Sequence, residues 1–126
     1  MSAKPIILVV DDDPPILVLM RTLLREFGFE AVTAESGPQA LAEARAQRPS
    51  AVLLDRNMPG MTGDELIRAL RKEPGLDRLP ILVVSGQAVS SAELSSLGAD
   101  GALLKPFDVP ELIAQIRAVV PAAQSA

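Results

Sequence analysis

AVLLDRNMPGMTG, residues 51–63, is the stretch on which the reading of the chain turns. Four apolar residues, Ala51 to Leu54, run without polar interruption into Asp55, and the turn-forming Met58, Pro59 and Gly60 follow at once. A short apolar run bounded by turn signals reads as a buried strand, here one that delivers a carboxylate to its own C-terminal end. Ligands of open parallel sheets sit outside the carboxyl ends of the strands, so Asp55 stands where chemistry is expected. Taken alone, the same residues equally describe an aspartate that caps a turn or begins the next helix.

Outward from this pivot the pattern repeats. PIILVV, residues 5–10, is a continuous β-branched run suited to a strand covered on both faces, and Asp11, Asp12 and Asp13 terminate it. Asp13 before Pro14 and Pro15 reads as a helix N-cap with proline in the first turn. The spacing predicts a helix over 15–26 whose inward face is Ile16, Leu19, Met20, Leu23, Leu24 and Phe27, ended by Gly28. Residues 29–35 form a more polar strand, hence nearer an edge, and a helix opening at Ser36 or Gly37 runs through Ala46 with Ala40, Leu41 and Ala44 inward.

Downstream of the pivot a helix over 64–72 turns Leu66, Ile67 and Leu70 inward, and a buried strand over 80–84 leads to Ser85 and Gly86. A short, serine-rich and marginal helix over 91–97 follows, then a fifth strand, 101–104, ended by Lys105, Pro106 and Phe107. Asp108 caps a last helix over 110–120, with Leu112, Ile113, Ile116, Val119 and Val120 inward. Strands alternating with helices in this way predict an α/β fold, a parallel sheet with helices on both faces and right-handed crossovers. The 126 residues suit one domain, with a core over about 5–120 and a frayed tail over 121–126.

Composition narrows the chemistry. With neither cysteine nor histidine, the chain has no disulfide framework, thiolate zinc site, histidine metal site or Ser-His-Asp catalysis. Any metal must be hard and bound by oxygen. Acidic residues outnumber basic ones 16 to 12, a net charge of -4, and no Lys/Arg cluster offers the basic face that a duplex requires, so no nucleic-acid partner is expected. Phe27, Phe29 and Phe107 are the only aromatic residues, a poor provision for stacking on a flavin or base. Short apolar runs and no charged-then-apolar start lead to the expectation of a soluble, cytoplasmic protein without a membrane partner.

Strand ends supply the functional groups: Asp11, Asp12 and Asp13 after the first, Asp55 after the third, Ser85 after the fourth and Lys105 after the fifth. Parallel strands present their carboxyl ends on one edge, so these residues are expected to converge. Carboxylates about 4 Å apart repel by roughly 4 kcal/mol at an effective dielectric of 20, and such a group takes up protons or recruits a cation. Magnesium suits it, and Lys105 adds a compact positive charge from the other side. The cluster can then receive a phosphoryl group, with a carboxylate as nucleophile.

ILVVDDD, LLDRNMPGMTG, VVSG and LLKPF occur in that order at successive strand ends. Over essentially its whole length the chain thereby resembles the receiver domain of two-component response regulators. The resemblance implies a flavodoxin-like doubly wound sheet of five strands in the order 2-1-3-4-5. It implies a phosphorylation-controlled switch rather than a metabolic enzyme, with Asp55 taking phosphate from a phosphohistidine on a sensor kinase or phosphotransfer protein. By the same resemblance Asp12 binds Mg2+ directly, or Mn2+ in its place. Asp11 acts partly through water, and Asp55 and the Asn57 backbone carbonyl complete the protein ligands. Ser85 bonds a phosphoryl oxygen, Lys105 pairs with the phosphate, the Lys105-Pro106 bond is cis, and water reaches the phosphoaspartate past Asn57 and Gln87. Asp13 matches no such role and stays a helix cap.

Two departures bear on signalling. Ala102 stands where the family carries a switch aromatic, and the interval from Ser85 to Lys105 is about two residues shorter than the family's, which shortens or displaces the fourth helix. Readout is therefore expected to rely on the loop after Ser85 or on another surface. The rival classes are a magnesium-dependent phosphatase with an aspartate nucleophile and a receiver-like interaction module that is not phosphorylated. The phosphatase would place an acid-base Asp two residues after the nucleophile, where this chain has Asn57, and the Asp12, Asp55 and Lys105 set argues against the other. The sequence leaves open whether the protein acts alone or is one domain of a longer chain.

Overall fold

The computed structural model describes residues 4–120. The tail expected over 121–126 lies outside them. Elements alternate without exception: β1 Ile6–Val10, α1 Pro14–Glu26, β2 Glu30–Ala34, α2 Gly37–Gln47, β3 Ala51–Asp55, α3 Gly63–Lys72, β4 Ile81–Ser85, α4 Ser91–Leu97, β5 Gly101–Leu104 and α5 Val109–Val119. The strands form one parallel sheet in the order β2-β1-β3-β4-β5. The polar strand over 30–34 is an edge, as its composition predicts. No helix of the described residues is long and apolar enough to cross a membrane.

Both faces of the sheet are covered, so the inner strands are apolar up to the Asp55 and Ser85 that end β3 and β4, and their period of two divides the core. Ile7, Val9, Leu53, Leu82, Val84 and Leu103 pack with α1 and α5, whereas Leu8, Val10, Leu54, Ile81 and Val83 pack with α2 and α3. α3 joins the second layer through fully buried Leu66, Ile67 and Leu70. α4, seven residues long, buries none of its side chains.

At α1 one expectation fails and another holds only in part. The side chains that dock it are Leu17, Met20 and Leu24, while Ile16, Leu19 and Phe27 are 38%, 53% and 39% exposed. A helix with apolar residues around much of its girth can settle on any of several stripes, and the chosen one is narrow. Asp13 occupies the N-cap position, yet its side chain makes no capping hydrogen bond. Pro14 and Pro15 carry no N–H, and the Ile16 and Leu17 amides already donate to the Asp13 carbonyl, at 3.0 and 3.2 Å.

Arg71 of α3 clamps the far end of the sheet. Its guanidinium donates to the carbonyls of Gly98 at 2.6 Å and Leu79 at 2.6 Å, and pairs with Asp100 at 3.2 Å. Asp100 in turn accepts from the Ile81 amide at 2.8 Å. Arg71→Ala strips charged donors from half-buried carbonyls, so it is expected to cost roughly 2–3 kcal/mol. Urea unfolding checks this: the midpoint falls while the slope stays constant.

Candidate functional site

Alternation along β3 places Asp55 on the α1/α5 side with Ala51 and Leu53, and sends Arg56 to the α3 side behind Leu54. On β5, Lys105 follows Leu103 to the α1/α5 side. On β4, Ser85 follows Ile81 and Val83 toward the α3 side. Asp55 and Ser85 are 7% and 3% exposed, the strand-end polar groups closest to the core.

Asp11 extends the ladder of β1, its amide donating to Ala34 at 3.1 Å. Its Oδ1 accepts from the Asp13 amide at 2.9 Å, a local turn that bends the chain into α1 and leaves Asp12 facing water. One carboxylate oxygen from each of Asp11, Asp12 and Asp55 lies within 4.8 Å of the others. Asp55 Oδ1 accepts from the Asn57 amide at 3.0 Å, and Lys105 Nζ stands 3.4 Å from Asp55 Oδ2. The Lys105-Pro106 bond is cis. Of the residues singled out in the sequence, Asp11, Asp12, Asp55 and Lys105 therefore meet. Asn57 borders them through its backbone, and the Ser85 hydroxyl is turned to accept from the Gln87 amide at 3.1 Å.

Burial raises the Asp11 carboxyl above its ordinary range; the Asp13 amide opposes this, and the charge of Asp55 adds to it. An acid whose pKa is raised by folding stabilises the fold below its unfolded value, and that stability is lost as pH rises through the folded value. Asp11→Asn keeps the acceptor for Asp13 and removes the charge. At pH 7 in chelator it is expected to add about 1 kcal/mol, a Coulomb figure discounted for solvent, or about 3–6 °C in Tm. Melts at decreasing pH check the sign, since the gain should vanish below the carboxylate range.

The donor set fits a hard divalent ion: three carboxylates, one exposed and one half-buried, able to bind while leaving positions for water. Beside it opens a cleft of about 840 Å3 whose walls pass from Asp11, Asp12, Asp55 and Lys105 to the apolar Ile16, Leu19 and Phe107. A second cleft, of about 710 Å3, is polar and lined by Asn57, Ser85, Gln87, Arg56 and Glu93 among others.

Three features escaped the sequence reading. The exposed apolar stripe on α1 borders the acid cluster. The second is a capping box at the start of α3, in which Thr62 Oγ1 accepts from the Glu65 amide and Glu65 accepts from the Thr62 amide. T-x-x-E directly after the turn of the pivot stretch was the signal for it. The third is Arg56, whose Nε pairs with Asp64 at 3.1 Å and Nη1 with Glu93 at 2.7 Å. Those bonds, the one to Asp64 foremost, hold its guanidinium more firmly protonated than usual.

A family model described as the response regulator receiver domain matches residues 7–117. The phosphate regulon transcriptional regulatory protein PhoB of Rhizobium meliloti is 37% identical over 118 residues, covering 92% of this chain and 52% of that protein. The chain thus spans about half the length of the curated relatives it matches. Among solved structures, the chemotaxis protein CheY4 of Vibrio cholerae superposes with a TM-score of 0.87 at 34% identity, covering 93% of this chain and 99% of that one. The response regulator TrrA of Thermotoga maritima, in complex with Mg2+ and BeF, gives 0.80 at 34% identity, covering 91% and 98%.

Proposed function

The chain belongs to the response regulator receiver domain family, and from that premise we propose that it is the phospho-accepting switch of a two-component relay, with Asp55 as acceptor. The observation that carries this is the meeting of Asp11, Asp12 and Asp55 within 4.8 Å, with Lys105 set against Asp55. Asp55, Asp12, the Asn57 carbonyl and, partly through water, Asp11 would hold Mg2+, or Mn2+ by the same donor logic. Bound there, the ion supplies positive charge that offsets repulsion between the acceptor and an incoming phosphoryl group.

The residues themselves account for the rest. The Asn57 amide fixes Asp55 Oδ1 and so orients the carboxylate. An Asp55 oxygen forms the new P–O bond as the P–N bond to a donor imidazole breaks, the electron pair returning to the ring nitrogen. Lys105 shifts its ammonium to the transferred oxygens, and Ser85 Oγ–H donates to one of them, exchanging its contact with Gln87. Water reaching phosphorus past Asn57 and Gln87 breaks the P–O bond to Asp55, releasing inorganic phosphate and returning the carboxylate.

With no histidine among these 126 residues, the donor phosphohistidine is assigned to a sensor histidine kinase or phosphotransfer protein. The exposed Ile16 and Leu19 beside the acid cluster suit such docking. We assign the receiver unit to the whole 126 residues, the location to the cytoplasm, and no nucleic-acid or membrane contact to this chain. Acetyl phosphate or phosphoramidate with magnesium tests the reading. One added phosphoryl group by intact mass is expected; an unchanged mass, or turnover of a small phosphomonoester, would overturn it.

A further inference from the structure

Among the described residues, the Arg56–Glu93 ion pair is the only polar side-chain tie from Ser91–Leu97 to another element. The C-terminal end of α4 is held differently, by Leu97 against the core and by Arg71 on the adjacent Gly98 carbonyl. With no side chain of α4 fully buried, the first turn of this helix rests on the Ser90 hydroxyl, which accepts from the Glu93 amide at 3.1 Å, and on Glu93 reaching Arg56. Arg56 directly follows Asp55 in sequence and shares the wall of the polar cleft with Ser85 and Asn57. Asp64 anchors the same guanidinium at 3.1 Å, so one cation serves two carboxylates.

We propose that Arg56 is a latch that passes the state of Asp55 to α4: phosphorylation of the neighbouring residue draws the guanidinium away from Glu93 and frees the helix. The inference rests on the phospho-acceptor reading of Asp55. A phosphoryl group brings a charge of about -1.5 to -2 where a carboxylate carried -1. That charge attracts Arg56 and repels Glu93, so both effects open the pair. Ala102, on the same side of β5 as Leu104, carries no ring that could perform this task.

Linkage makes the idea testable in both directions, because whatever phosphorylation does to the latch, opening the latch must do to phosphoryl affinity by the same factor. The experiment follows amide exchange over 91–98 in the full chain with Mg2+, with and without beryllofluoride as phosphoryl mimic, and reads mimic affinity by 19F NMR. In the wild type the mimic should speed exchange by about fivefold or more. Glu93→Gln should show fast exchange from the outset, unmoved by the mimic, and should bind the mimic tighter by a matching factor. Arg56→Gln should free α4 equally and bind the mimic no tighter, since the cation that moves is gone.

A wild-type chain that binds the mimic while α4 exchange stays unchanged would overturn the latch, as would tightening in Arg56→Gln equal to that in Glu93→Gln. An unmodified mass with acetyl phosphate and no mimic binding would instead remove the phospho-acceptor reading beneath it.

Discussion

Asp55→Asn, incubated with acetyl phosphate and magnesium, is expected to show no added phosphoryl group by intact mass, where the wild type gains one. The substitution preserves shape and leaves an oxygen to accept from the Asn57 amide, so the loop after β3 should stay in place. What disappears is the anionic oxygen that attacks phosphorus, together with one of three carboxylates in the cluster. Loss should be complete, and a thermal melt should show a folded protein, since a buried charge has been removed rather than added. Equal phosphoryl gain by Asp55→Asn would show that another residue is the acceptor.

Lys105→Ala is expected to slow phosphoryl uptake by about 100-fold or more, the scale seen when one charge-stabilising donor is taken from a transition state. The side chain is 45% exposed and its 3.4 Å contact with Asp55 is long, so little stability is at stake. Its importance lies in the reaction, where charge builds on oxygens next to its ammonium, 3.4 Å from Asp55. Initial rates by intact mass, alongside magnesium affinity by calorimetry, separate the two roles. A rate within threefold of wild type would remove Lys105 from the chemistry.

Much of this arrangement is legible in the chain because strand chemistry is local. A run such as Leu53-Leu54-Asp55 states both that the strand is buried and that its end is charged, and parallel winding then brings Asp11, Asp12, Asp55 and Lys105 to one edge. The α1 face is not legible in the same way. Periodicity gives the spacing of apolar residues but not the angle at which the helix settles, so Leu17 went inside and Ile16 and Leu19 remained exposed. Asp13 takes the N-cap position that its residue type promised, but its side chain caps nothing, because Pro15 has no N–H and the Ile16 amide that remains donates to the Asp13 carbonyl instead.

Arg56 was hidden for a different reason. Next to the acceptor it reads as a loop residue, and its partner Glu93 sits in a marginal helix far along the chain, where only the packing of α3 and α4 brings them together. Ser85 lies between these cases. Its place at the end of β4 is written in the sequence, but the turn of its hydroxyl toward Gln87 follows from the loop it begins.

The central claim is that a carboxylate at the sheet edge becomes a mixed anhydride with phosphate, and reactivity of the bond tests it most directly. Phosphorylated wild-type protein would be treated with neutral hydroxylamine, which cleaves acyl phosphates and leaves serine phosphate esters intact, then weighed and sequenced by fragmentation. The account predicts that the phosphoryl mass is lost and a hydroxamate appears at Asp55. A phosphoryl group that survives the treatment and maps to Ser85 or any other hydroxyl would contradict it.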